Sequence, residues 1–165
     1  MYPCRLYPAK RSPLVRSIRS LTPPPEVENN ALQVTTHDGL THPAWGTYFD
    51  LDTNTATAMS VTTNTFCAGG FSLANGTWVV FGGNQPVTYN GTAVSDTTNN
   101  PSGTNPYDDV AGGTAIRMLT PCDGGQCGWQ EGGADLTMTT KRWYPTIEGL
   151  GDGSVVVLGG DQNGG

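Results

Sequence analysis

TFCAGGFSLANGTWVVFGG (65–83) and RWYPTIEGLGDGSVVVLGG (142–160) are the two stretches that decide the fold. They align without a gap at an offset of 77 residues. Leu73 matches Leu150, Gly76 matches Gly153, Val79 and Val80 match Val156 and Val157, and Gly82-Gly83 matches Gly159-Gly160. Each copy runs from an aromatic residue through a short strand to Asn-Gly or Asp-Gly, then an apolar strand and a double glycine. Asn-Gly and Asp-Gly tolerate positive φ, which predicts two-residue hairpin loops. WVVF and VVVL are short continuous apolar runs, as in buried central strands. A Gly-Gly pair at a strand end permits close backbone approach. Repeated hairpins of this kind predict propeller blades.

Working outward, AIRML (115–119) reads as a third strand and CGWQEG (127–132) as the outer strand of the same sheet. AWGTYFDLDTNTATAM (44–59) reads as an aromatic strand, a polar turn and a Thr-rich strand, and ALQVTTHDG (31–39) as a strand ending in a turn. No stretch shows the helical i, i+3, i+4, i+7 spacing. The offset of 77 exceeds the roughly 50 residues of a kelch blade. The excess falls in NQPVTYNGTAVSDTTNNPSGTNPYDDV (84–110), which reads as a long surface insertion. The fold expected is all-β, a partial kelch-like β-propeller over 31–165 holding about two blades. Closure needs about four blades or more, so the sequence reads as a fragment of a larger propeller.

The rest of the composition narrows the function. Of 165 residues, 23 are Gly and 12 Pro, and the formal charge is −6. Residues 1–30 hold five of the eight basic side chains and two of the fourteen acidic ones, among scattered prolines and the run Pro23-Pro24-Pro25. They read as a disordered leader, since three prolines in a row favour an extended segment. The remaining body is strongly acidic and offers no basic surface to a phosphate backbone, which disfavours nucleic acid as a partner. No apolar run is long enough for a membrane span, and the basic N-terminus lacks the uninterrupted apolar stretch of a secretory signal.

Cys67 and Tyr144 each lie fifteen residues before a double glycine, so they hold the same position in the two copies. On neighbouring blades they would sit at equal depth near the axis. A thioether between the Cys67 sulfur and the Tyr144 ring would enlarge the π-system and ease oxidation of the phenol. The plainer reading of Cys67 is a small buried hydrophobe. Cys122 and Cys127 flank a short Gly-containing turn, where a bridge is geometrically reasonable in an extracellular protein. Zinc would need a second ligand pair that does not accompany them. Arg142 either pairs with a carboxylate or orients a small hydrated aldehyde, and Trp143 packs between blades. His37 and His42 lie in THDGLTH and read as solvated or structural. Asn75-Gly76-Thr77 and Asn90-Gly91-Thr92 match the N-glycosylation acceptor, Asn90 being the better placed.

NTFCAGGFSLANGTWVVFGGN, the PC…C-x-W-x-E stretch, NQPVTYNGTAV…NPYDD and KRWYPTIEGLGDGSVVVLGGD together resemble fungal glyoxal oxidase, a copper radical oxidase related to galactose oxidase. The resemblance covers roughly residues 32–165 and matches the N-terminal region of that family. It implies a seven-bladed kelch-like propeller. It also implies oxidation of a small aldehyde, through its hydrate, or of a primary alcohol, with O₂ reduced to H₂O₂ in an extracellular parent. The implied cofactors are one copper ion and a Cys-Tyr thioether radical. On this resemblance the cross-linked cysteine falls on Cys67, and the radical and copper-ligand tyrosine on Tyr144. The family's other copper ligands, a tyrosine and two histidines, have no counterpart here, and neither His37 nor His42 matches them. Where galactose oxidase stacks a tryptophan over the cross-link, this chain has Asp161-Gln162. The isolated chain is accordingly expected to be inactive. The competing class is a non-catalytic kelch-like binding or structural module.

Overall fold

Aromatic and β-branched side chains pair well across a pleated surface, and Thr47, Tyr48 and Phe49 lie opposite Ala58, Thr57 and Ala56 in the first well-packed hairpin. The computed structural model describes residues 33–35, 41–88, 92–94, 105, 109–122 and 127–163. The leader expected over 1–30 lies outside them, as do His37 and Asn90.

The described residues are all-β, with a single 3-10 turn at Ala134–Leu136 as the one helical element among them. In chain order the strands are β1 (Gln33–Thr35), β2 (Thr41–Pro43), β3 (Gly46–Asp50), β4 (Thr55–Met59), β5 (Gly69–Ser72), β6 (Trp78–Phe81), β7 (Ile116–Leu119), β8 (Gln130–Glu131), β9 (Thr146–Gly149) and β10 (Val155–Leu158). β5-β6-β7-β8 form a four-stranded antiparallel sheet in sequence order, and β1-β2, β3-β4 and β9-β10 form antiparallel pairs. The strands expected over 115–119 and 127–132 are β7 and β8.

The repeat is reproduced at the level of single hydrogen bonds. β9 and β10 are β5 and β6 displaced by 77 residues. The Leu73 amide donates to Thr77 O at 2.8 Å, and the Leu150 amide to Ser154 O at 2.8 Å. Gly76 N donates to Leu73 O and Gly153 N to Leu150 O, at 2.9 and 3.0 Å. These bonds correct the expected loop type. Positive φ occurs at Gly76 (84°) and Gly153 (87°) but not at Asn75 or Asp152, so neither turn is the two-residue form that needs positive φ twice. Each is a three-residue loop in which the glycine alone takes the left-handed conformation. The Asn75 and Asp152 Oδ1 atoms instead accept the amides of Thr77 and Ser154 at 3.0 and 2.9 Å. The Ser154 hydroxyl and amide hold the Asp152 carboxyl below the usual carboxylate range.

β6 is buried along Val79, Val80 and Phe81, whereas β10 is only half-buried and ends on exposed Leu158. The central-strand expectation therefore holds for WVVF and not for VVVL, because β7 covers the second edge of β6 while β10 pairs with β9 alone among the described strands. Trp45, Val61, Val80, Leu119 and Trp129 form the core, with Met59, Ala68, Trp78 and Cys127 packed on it. β5 lies against β9. The contact is close because two glycines leave room: a Cβ on Gly69 would meet Pro145 O at 2.6 Å, and one on Gly149 would meet the Phe71 ring at 2.6 Å.

The expected surface insertion is more deeply anchored than its composition implies. Pro86, Asn105 and Asp109 are fully buried. Asn105 Nδ2 donates to Asp109 O at 2.8 Å, and the Asp109 amide returns a bond to Asn105 Oδ1 at 3.1 Å. Polar residues read as loop-forming are here satisfying one another in the interior, which their identity alone does not reveal.

Candidate functional site

Two side chains inherit their placement from the repeat. Cys67 and Tyr144 both have φ of 58°, and the one other described non-glycine residue with positive φ is Asn54. A left-handed conformation costs an L-residue roughly 1–2 kcal/mol, and it recurs at equivalent positions of the repeat although each copy builds it with different bonds: near Tyr144 the Trp143 amide donates to Asp161 O, and Pro145 has no amide hydrogen to donate. Around Cys67 there is a turn in which the Ala68 amide donates to Thr65 O at 3.0 Å and the Phe66 amide to Asn64 Oδ1 at 2.8 Å. The two copies meet directly: the Tyr144 amide donates to Cys67 O at 3.0 Å. Cys67 is a half-buried free thiol. Tyr144 is 62% exposed, and its ring stands edge-on to Trp143 with centroids 4.6 Å apart.

The double glycine closes the arrangement from below. Gly83 N donates to Arg142 O at 3.1 Å. A Cβ on Gly82 would lie 2.2 Å from that same oxygen, and one on Gly83 would lie 2.0 Å from Asn64 O. No larger residue fits between these segments. The Arg142 guanidinium donates to Gly159 O rather than to a carboxylate, tying the approach to Tyr144 to the end of β10. Arg142 also lines a shallow groove with Gln85, Lys141, Trp143 and Asp161.

Behind the pair sits a buried charge that motif reading passed over. Arg117, 1% exposed in the middle of β7, donates from Nε to Thr63 Oγ1 at 2.7 Å, from Nη1 to Gly82 O at 2.7 Å and from Nη2 to Asn64 O at 3.2 Å. Glu131 lies opposite it in the sheet, with Oε2 3.5 Å from Arg117 Nε. Glu131 also accepts the amides of Thr62 and Thr63 and the Thr63 hydroxyl. Burial lowers the Arg117 pKa to about 10 while Glu131 works in the opposite sense, so the guanidinium stays charged at neutral pH. A charged residue inside the apolar run AIRML, with an acid in the next strand, was the available signal.

Residues of this chain align with the aldehyde oxidase GLOX of Vitis pseudoreticulata at 31% identity over 112 residues. The relationship is glyoxal oxidase-like. The alignment covers 67% of this chain and 16% of that oxidase, so the chain spans about a sixth of the relative's length. No protein-family model matches the chain.

The other residues singled out from sequence fall as follows. Cys122 and Cys127 are bridged, with Cα atoms 5.5 Å apart. His42 is buried on β2 and stacks on Trp45 with centroids 5.9 Å apart, a structural position remote in sequence from Cys67 and Tyr144. Asn75 is exposed, but its side chain is engaged by the Thr77 amide and Thr77 itself is 2% exposed. Among the described residues no three His, Cys, Asp or Glu side chains gather as a metal site, and no described helix is long and apolar enough to cross a membrane.

Proposed function

We propose that this chain supplies the radical half of a copper radical oxidase, a kelch-like propeller enzyme in which β5-β8 is one blade and β9-β10 opens the next. The observation that carries the reading is the bond from the Tyr144 amide to Cys67 O between two residues of equal φ. It joins the two repeat-equivalent positions that the glyoxal oxidase resemblance assigns to the cross-link. The substrate class is a small aldehyde, as its hydrate, or a primary alcohol, with O₂ as oxidant and H₂O₂ as product.

Of the residues assigned by the resemblance, one side chain, Tyr144, would serve as a copper ligand. Tyr144 would give copper one phenol oxygen from an exposed side chain, Cys67 would tune that phenol, and the remaining ligands would come from residues outside this chain. Bound copper would supply one-electron redox chemistry there. The residues of this chain do the rest. Forming the thioether removes the thiol hydrogen and one Tyr144 ring hydrogen, with the two electrons passing to O₂. The sulfur then donates into the ring and stabilises the oxidised phenol after it has lost its proton. Trp143 stands edge-on to that ring.

The test uses the intact protein that carries this chain, loaded with copper in air. Digestion is expected to give one branched peptide holding Cys67 and Tyr144, with the intact mass reduced by the two hydrogens lost. Cys67→Ser is expected to fold yet lose nearly all oxidase turnover. Recovery of Cys67 and Tyr144 only in separate, unmodified peptides of active enzyme would refute the reading.

A further inference from the structure

We propose that Arg117 is a positioning residue for the Cys67–Tyr144 pair, holding the two turns at the separation their coupling requires. The inference rests on the reading of that pair given above, and on a closed circuit of bonds around it. From Arg117 Nη2 the circuit passes to Asn64 O at 3.2 Å. It then follows the chain from Asn64 to Cys67, stiffened by the Phe66 amide on Asn64 Oδ1. It crosses from Cys67 O to the Tyr144 amide at 3.0 Å and runs back along Trp143 to Arg142, whose carbonyl accepts Gly83 N at 3.1 Å. Gly82 O returns it to Arg117 Nη1 at 2.7 Å.

One guanidinium thus grips both segments that frame the pair, one before Cys67 and one that cradles the backbone before Tyr144. The planar fork reaches two carbonyls at once, which a lysine ammonium on its flexible stem does not reproduce. The glycines leave no slack, since any Cβ at 82 or 83 would collide with Arg142 O or Asn64 O. Glu131 and Thr63 fix the guanidinium from the other side. Arg117 touches neither reacting atom in this arrangement. It acts through the backbone, and its effect belongs in the rate of coupling.

The experiment has two arms in the intact protein. In the first, copper-loaded Arg117→Lys is compared with wild type and with Val156→Ala, a half-buried β10 substitution that lowers stability outside the circuit. Cross-link formation, read by mass, is expected to slow at least about tenfold in Arg117→Lys, the scale of effect set by small misplacements of reacting groups. It is expected to be unchanged in Val156→Ala. Equal rates in all three, or equal slowing in both variants, would overturn the proposal. The second arm needs no copper: Tyr144→Cys is exposed to oxidised glutathione, and bridge formation from Cys67 to the introduced thiol is timed. It is expected to be at least about tenfold slower when Arg117→Lys is added, by the same positioning argument. If wild type forms no thioether, the oxidase reading fails, and the second arm still decides the role of Arg117. Equal bridging rates with and without Arg117→Lys, or no bridge in either, would overturn it.

Discussion

Cys67 carries a backbone cost, its left-handed φ of 58°, and a pair of substitutions isolates it. Glycine adopts a φ of 58° without strain, whereas alanine does not. Cys67→Gly is therefore expected to be more stable than Cys67→Ala by about 1 kcal/mol, measured by urea denaturation. The ordinary ranking, alanine above glycine, would show that the turn relaxes when the thiol is removed. The position of Cys67 was legible in sequence from its distance to the double glycine, but its strained backbone was not. Positive φ at Cys67 belongs to a turn closed by the Ala68 amide on Thr65 O and the Phe66 amide on Asn64 Oδ1, bonds that the spacing to the double glycine does not announce.

At the scale of the element, the two hairpins show one glycine doing conformational work and another doing steric work. Gly76 has φ of 84° and open space around its would-be Cβ, so Gly76→Ala is expected to cost only the backbone term, about 1 kcal/mol. Gly82 has φ of 74° and a would-be Cβ 2.2 Å from Arg142 O, so Gly82→Ala must also push the Arg142 backbone away. Thermal unfolding is expected to show Gly82→Ala as the more damaging by roughly 1–3 kcal/mol, the usual range for overpacking. Equal losses would mean that the contact between Gly82 and the Arg142 backbone yields freely. The Cys122–Cys127 bridge beside β7 closes a short loop, so Cys127→Ser is expected to cost about 2 kcal/mol in chemical denaturation, less than a long-loop bridge would.

For the molecule as a whole, the open side of β10 governs behaviour in solution. The strand Val155–Leu158 bears no charge, pairs with β9 alone among the described strands, and exposes Leu158 at 56%. Such an edge is a template for pairing with another chain. The 165-residue chain is expected to associate in a concentration-dependent manner by analytical ultracentrifugation, and Leu158→Lys to suppress this. A wild-type chain that remains monomeric at high concentration would contradict the expectation. On the proposed propeller reading, a neighbouring blade would cover this edge.

The sequence by itself determined the strands from Gly46 onward, their pairing into repeated hairpins and the equivalence of Cys67 with Tyr144, while β2, inside a stretch read as a turn, was not visible in it. The legible features follow from short-range pattern: apolar runs, glycine positions and a fixed offset. Only the tertiary structure decided that Asn75-Gly76 forms a three-residue loop, that Asn105 and Asp109 are interior, and that Arg117 and Glu131 sit behind the candidate pair. Turn type depends on which backbone groups find partners, and a charge is tolerated inside only where distant carbonyls and an opposing carboxylate converge on it. That convergence joins Thr63, Gly82, Arg117 and Glu131, residues whose separation along the chain hides their contact until it folds.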